Sequence, residues 1–421
     1  MSIYNICETQ DLLTASSRRF ADRLNTACHE FRQFSRSDIS KNHFDAIFDL
    51  LPCAVDTPEL RSWVQRVERF CDHDSRDANL SELAANNPTF DQPRIERVLE
   101  LMVWEFLGAA IQPTERTITV GSTPPALWFV GKTGIVSTQQ ASEEAASTLL
   151  SSGVNFPPTL QSPDGRKLIS SCSHHASTEG EFRCSVPITN HILSAPSGLD
   201  FPLVRSVSYS MAWVAQLENA AGAIDAYSSS AFEWIKCLVT SALPLASPTG
   251  TVGSATREDV LGLIFLPATD QFDQLVECLL HETMHQLLHR IEECGTLFEN
   301  DTGEERYYSP WRSDPRPLRM VLHGAFVFSA VADLYAKSKP ESLQLNMNVH
   351  IDRAYLRSQQ AVAALKIVKK YAHLTDFGQV IVEATEQMLN ALMLDLPARS
   401  QRCAIDDALS QHRHDYAHYM S

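Results

Sequence analysis

The stretch QFDQLVECLLHETMHQLLHRIEEC, residues 271–294, decides how this chain is read. Phe272, Leu275, Val276, Leu279, Met284, Leu287, Leu288 and Ile291 recur at three- and four-residue intervals, the period of a helix with a face in a core. Asp270 is the expected N-cap and Gly295 the expected C-cap. Inside the helix lies HExxH: His281, Glu282, Thr283, Met284, His285. Residues four apart share a helical face, so His281 and His285 can point at one metal ion. Glu282, turned ~100° around the helix, stays close enough to reach a metal-bound water or to orient a ligand. Leu279, Leu280, Leu287 and Leu288 bury the helix, and histidines inside a buried helix need a polar or metal partner. His289 follows four residues on and reads as a neighbour of the site, because three ligands in one straight row converge poorly on a single ion.

Two histidines leave a metal site incomplete. The preferred third ligand is His323, in the apolar stretch RMVLHGAFVF, ahead of Glu383, His350 and His373. The metzincin continuation HExxHxxGxxH is absent, since Leu288 stands where it needs glycine. Between the two histidine helices, ENDTGEERYYSPWRSDPRPL packs Tyr307, Tyr308, Trp311, Arg312 and Arg316 among three prolines. Proline fixes φ, so such a segment is stiff enough to hold a guanidinium in place, and arginine grips carboxylates with two bonds. One of these arginines is more simply a brace for the loop, paired with Asp314 or Glu305.

Outward from this stretch, the expected architecture is mainly helical (α+β), with a small β-containing insert and the HExxH helix at the centre of the catalytic part. Residues 1–113 read as helices, from ETQDLLTASSRRFADRLNTACHEFRQF and RIERVLELMVWEFLGAA. Residues 114–205 change texture: TERTITVGSTPPALWFVGKTGIVST predicts short strands, GRKLISSCSHHASTEGEFRCSVPIT a hairpin through STEG, and QQASEEAASTLLSSG a helix between them. This segment reads first as a structural insert; its sheet edges would also suit strand addition by a peptide. Residues 206–421 return to helices, one of them running through AWVAQLENAAGAIDAYSSSAFEWIKCLVTSAL, with GLIFLPATD as a strand leading into residue 271. The terminal QHRHDYAHYM, with His412, His414 and His418, reads as a solvated tail.

With 35 Lys and Arg against 51 Asp and Glu, the 421-residue chain carries a formal charge of −16, and 44% of its residues are apolar. That is the composition of a globular protein, too apolar for disorder. Without a basic run, sequence-independent binding of DNA or RNA is not expected, since it rests on neutralising phosphates. No apolar span suits a membrane and the N-terminus lacks an export signal, so the expected compartment is the cytoplasm. Ten cysteines without a CxxC pair are then expected to be reduced thiols.

Taken together, HETMHQLLHRIEECG and YYSPWRSDPRPLRMVLHGAFVFSAVADLY resemble the HExxH-type peptide-modification proteins of ribosomal peptide gene clusters. These are understood as iron(II)- and 2-oxoglutarate-dependent peptide β-hydroxylases. The resemblance covers roughly residues 278–335. It implies that His281 and His285 bind iron and that the PWRSDPRP segment, with Tyr308 and Trp311, walls the active site. Arg312 or Arg316 would then meet the 2-oxoglutarate carboxylate, and the substrate would be a precursor peptide. His323 as third ligand rests on this sequence rather than on the resemblance. The acidic net charge suits a peptide carrying basic or neutral residues. A zinc peptidase with Glu282 as general base is the first rival, and a non-catalytic helical binding protein the second.

Overall fold

A computed structural model describes residues 9–34, 58–71, 102, 103, 106, the strands between 116 and 177, and residues 180–186, 207–246, 253–304, 306–395 and 402–419. Among the described residues, the named α-helices are α1 (Thr9–Phe34), α2 (Pro58–Cys71), α3 (Val207–Tyr227), α4 (Ser229–Leu238), α5 (Phe272–Cys294), α6 (Leu318–Lys337), α7 (Met347–Tyr371), α8 (Asp376–Asp395) and α9 (Arg402–Tyr419). The architecture is mainly helical with a small β component, as the sequence predicts. Most of RIERVLELMVWEFLGAA lies outside the described residues.

Helix α6 is the centre of the molecule. From Val321 to Tyr335 every residue is buried, because the sequence is apolar on all faces rather than along one stripe. Helix α7 lies along it, and α5 and α8 flank it. By length and composition α6 could cross a membrane, but 89% of its apolar window is buried inside the protein, which makes it a core helix.

Two three-stranded antiparallel sheets fall inside the insert. A third sheet of five strands joins the insert to the helical part, with Ser185 pairing in parallel with Ser241. Two strands fall where helix is expected. Thr148–Ser152 pairs antiparallel with Arg116–Val120; the serines that end it are weak helix formers, and the ladder satisfies its backbone groups. Ser241–Leu245 pairs in parallel with Leu263–Pro267, and Pro244 could not have continued α4. The hairpin expected through STEG is present as a two-residue ladder between Ala176–Ser177 and Ser185–Val186.

Leu263–Pro267 is fully buried and leads directly into α5. The cap is Gln271 rather than Asp270, and the Thr269 hydroxyl accepts the Gln271 N–H at 3.1 Å. Gly295 closes the other end as expected, its N–H donating to the Ile291 carbonyl. Buried Gln286 fixes the rotation of α5 against the sheet: its Oε1 accepts the Gly262 N–H at 2.8 Å, and its Nε2 donates to the Leu263 carbonyl at 2.9 Å. That rotation turns the histidines of α5 away from the sheet and towards α6. Among the described residues, Cys28, Cys237, Cys278 and Cys294 are free thiols.

Candidate metal centre

Four histidines line the meeting of α5 and α6. The His281 and His285 rings lie 4.9 Å apart edge to face, His285 stacks on His323 at 5.5 Å, and His289 lies 4.7 Å from His323. Among the described residues, the group able to hold a metal ion is His289, Glu292 and His323, whose ligand atoms all lie within 4.8 Å of one another. His289 is thus a candidate ligand rather than a neighbour. It needs no straight row: His289 and Glu292 are three residues apart on α5, and His323 completes the set from α6.

The donor atoms converge on one oxygen. Glu292 Oε2 is 3.1 Å from His323 Nε2 and 3.3 Å from His289 Nδ1. Two neutral imidazole lone pairs facing a carboxylate would repel it, so a proton or a cation must sit among them. Arg319 supplies one positive charge. Its Nε and Nη2 grip the Glu292 carboxylate at 2.7 and 2.6 Å, and Nη2 also reaches His289 Nδ1 at 3.3 Å and Glu258 at 2.7 Å. An ion bound by the triad therefore shares Oε2 with Arg319. Burial alone would raise the Glu292 carboxyl, but His323, Arg319 and His289 together hold it well below the usual carboxylate range. Burial lowers His289 and pushes His285 well below the ordinary imidazole value, helped at His285 by the neighbouring histidines. Neutral imidazoles are the form that ligates metal.

The residues fit a bound metal in a second respect. With His323 Nε2 turned to Glu292, its other nitrogen, Nδ1, lies 3.2 Å from His285 Nδ1. A metal-ligating histidine commonly gives its remaining N–H to an acceptor that fixes its tautomer and orientation. His285 is placed to be that acceptor, so half of the HExxH pair supports the triad from behind.

His281 sits at the other end of the row, in different company. Its ring meets Phe328 at 5.1 Å, Trp311 leans on Phe328 at 5.1 Å, and the Arg357 guanidinium lies 4.8 Å above the same ring. Burial, with Arg357 adding to it, lowers His281 to about 3. Glu282 lies beside it, Oε1 3.9 Å from His281 Nε2. It is 2% exposed, hydrogen-bonded by Ser254 and Thr256, and burial pushes it up to about 8.

The strap between α5 and α6 is closed by a two-bond bridge, Tyr307 N–H to Arg316 O at 3.0 Å and Arg316 N–H to Tyr307 O at 2.9 Å. Trp311 lies at its tip over Gly324, where an added Cβ would stand 1.9 Å from the indole; no other residue fits there. Arg312 and Arg316 both pair with Asp314 at 2.8 Å, so the loop-bracing expectation holds for both. Arg312 is half exposed, whereas Arg316 keeps a buried Nε without a partner among the described residues. Tyr308 turns away from the histidines to His412 of α9, 2.9 Å from its hydroxyl. The terminal segment is helix α9, which His412 ties to the strap while His414 stays exposed to solvent. Of the other candidates, His350 bonds Ser338 and Glu383 bonds Gln379.

Sequence reading missed Glu292, Arg319 and Arg357. The signal for Glu292 was present: HxxE, starting at His289, repeats the helical-face logic applied to HExxH. No family model and no curated protein matches this chain.

Proposed function

We propose that this protein is an iron(II)- and 2-oxoglutarate-dependent oxygenase that hydroxylates a side-chain β-carbon of a ribosomally made precursor peptide. One observation carries the reading: His289, Glu292 and His323 form a two-histidine, one-carboxylate set, the donor set of non-haem iron oxygenases with open positions. The resemblance of residues 278–335 to peptide β-hydroxylases supplies the substrate class.

Bound iron and 2-oxoglutarate would supply the oxidising power that turns a C–H into a C–OH, with dioxygen consumed and succinate and carbon dioxide released. The chain's own residues do the rest. His289, Glu292 and His323 would hold the ion, and His285 keeps the His323 Nδ1 proton in place. Arg319 neutralises the Glu292 carboxylate and competes with the ion for it. Phe328 and Trp311 form a dry wall beside His281. For the co-substrate carboxylate the candidate partners are Arg357, which lies on the Phe328 ring and also pairs with Glu277, and Arg316, which keeps a spare buried N–H. The rival peptidase reading would need Glu282 as its base, a carboxyl that lies against Ser254 and Thr256.

The test is to incubate anaerobically purified protein with Fe(II), 2-oxoglutarate and the precursor peptide encoded beside it, then admit air. The expected result is a peptide heavier by one oxygen atom, with succinate formed in step. Peptide cleavage that depends on zinc and ignores 2-oxoglutarate would replace this reading with the peptidase.

A further inference from the structure

On a protein of charge −16, one groove carries the opposite sign. It lies between the start of the strap, the last turns of α7 and helix α9, and encloses about 650 Å³. Arg306, Lys366, Lys370 and Arg413 line it, and no carboxylate does among the described residues. All four cations are exposed, although Glu304 holds Arg306 from outside the lining. A second hollow, of about 530 Å³, shares Lys366 and Lys370, but there Glu386 lines the wall and pairs with Lys369 at 2.6 Å, so the unopposed positive charge is confined to the first groove.

Its aromatic lining is arranged for side chains rather than for bases. Tyr308 meets Tyr416 edge to face at 5.1 Å and carries Arg413 over its ring at 5.5 Å. Tyr307 meets Tyr371 at 5.4 Å and carries Arg306 at 5.3 Å. Rings so engaged offer edges and apolar flanks, but few open faces for a nucleobase to stack on. A long polyanion would also have to leave the groove and cross an acidic surface, whereas a short segment stays within ~10 Å of the four cations, about one Debye length. Arginine forks and lysine ammonium groups on a floor of tyrosines match carboxylates set among apolar side chains.

We propose that this groove binds an acidic peptide segment, its carboxylates on Arg306, Lys366, Lys370 and Arg413 and its apolar side chains against the tyrosines. The site is separate from the metal triad and needs no ion. It also refines the partner expected from net charge alone: a peptide meeting this protein here is acidic, whatever the rest of it carries.

The test uses the full chain and fluorescence anisotropy of a labelled peptide of alternating glutamate and leucine. The same peptide with glutamine for glutamate, and labelled oligothymidylate, serve as comparisons. The glutamate peptide is expected to bind saturably and to weaken as salt rises from about 0.05 to about 0.3 M. The glutamine peptide should bind about tenfold more weakly or worse, as should the glutamate peptide to K366E/K370E and to R413E. Lys366→Gln with Lys370→Gln, which removes charge without reversing it, guards against a folding defect and should show a smaller loss in the same direction. Arg23→Glu, on α1, should change nothing. Glu292→Ala should bind the peptide normally, which separates this result from any failure of the oxygenase reading. No saturable binding at low salt, equal binding of the glutamine peptide, tighter binding of oligothymidylate, or indifference to the charge reversals would each overturn the proposal.

Discussion

The two ends of the α5 histidine row are built from the same residue on the same helix, yet they differ in chemistry. At the His281 end the facing residues are Phe328, Trp311 and Arg357: apolar surface and a cation. At the His289 end they are Glu292, His323 and Arg319: two donors and a counter-charge. An imidazole becomes a candidate ligand through what the neighbouring helix sets opposite it, and α6 sets His323 between His285 and His289. A motif read along one strand of sequence has no access to that crossing point.

The comparison is broken most directly by removing one donor from each end. Glu292→Ala is expected to weaken Fe(II) or Co(II) binding by about 100-fold or more, whereas His281→Ala should leave it within about threefold. Titration calorimetry under argon would measure both. Were His281→Ala to abolish binding while Glu292→Ala kept it, the metal would belong to the HExxH pair instead.

A smaller change should follow at the counter-charge. Arg319→Gln removes a guanidinium that competes with the ion for Glu292, and metal affinity should rise by about tenfold, since like charges ~4 Å apart repel by about 1 kcal/mol where solvent screens them, as it does at the partly exposed Arg319. A loss of affinity would mean that Arg319 orients Glu292 rather than competing for it.

At the His281 end, Gly324→Ala drives a methyl group into the Trp311 indole. We expect a stability loss of about 2 kcal/mol in denaturant unfolding, as for other overpacked cores, with metal content unchanged. The smallest effect concerns Glu282. Its carboxyl ordinarily titrates at 4.5 and is held up to about 8 in the fold. The unfolded chain therefore releases this proton earlier than the folded one, and stability falls as pH rises from 4.5 towards 8. Glu282→Gln cannot ionise, so it should be more stable than the native chain at pH 8 and equal to it at pH 4, by thermal melts at both.

Much of the fold was legible because α5 and α6 state their burial in their own periodicity. Leu275 to Ile291 fall on a helical stripe, and residues 320–335 are apolar on every face. Gly295 and the Leu263–Pro267 strand were equally readable. What stayed hidden depends on pairing at a distance. Thr148–Ser152 is a strand because Arg116–Val120 completes its ladder, and Ser241 leaves the helical pattern because Leu263 and Ser185 lie beside it. The site divides in the same way. His323 was found because a polar group on an apolar helix needs a partner. Arg319 and Arg357 were passed over because they lack the proline-stiffened setting that drew attention to Arg312 and Arg316, which Asp314 instead ties to each other.

The closed strap has a mechanical consequence. Its ends are fastened by the Tyr307–Arg316 pair of hydrogen bonds, its tip is wedged over Gly324 by Trp311, and the exposed bond between them follows Arg312. A protease cutting after Arg312 would sever the chain between the helix bearing His289 and Glu292 and the helix bearing His323, while each new end stays anchored a few residues from the cut. The halves would remain together as a nicked, two-piece protein that still presents all three donors.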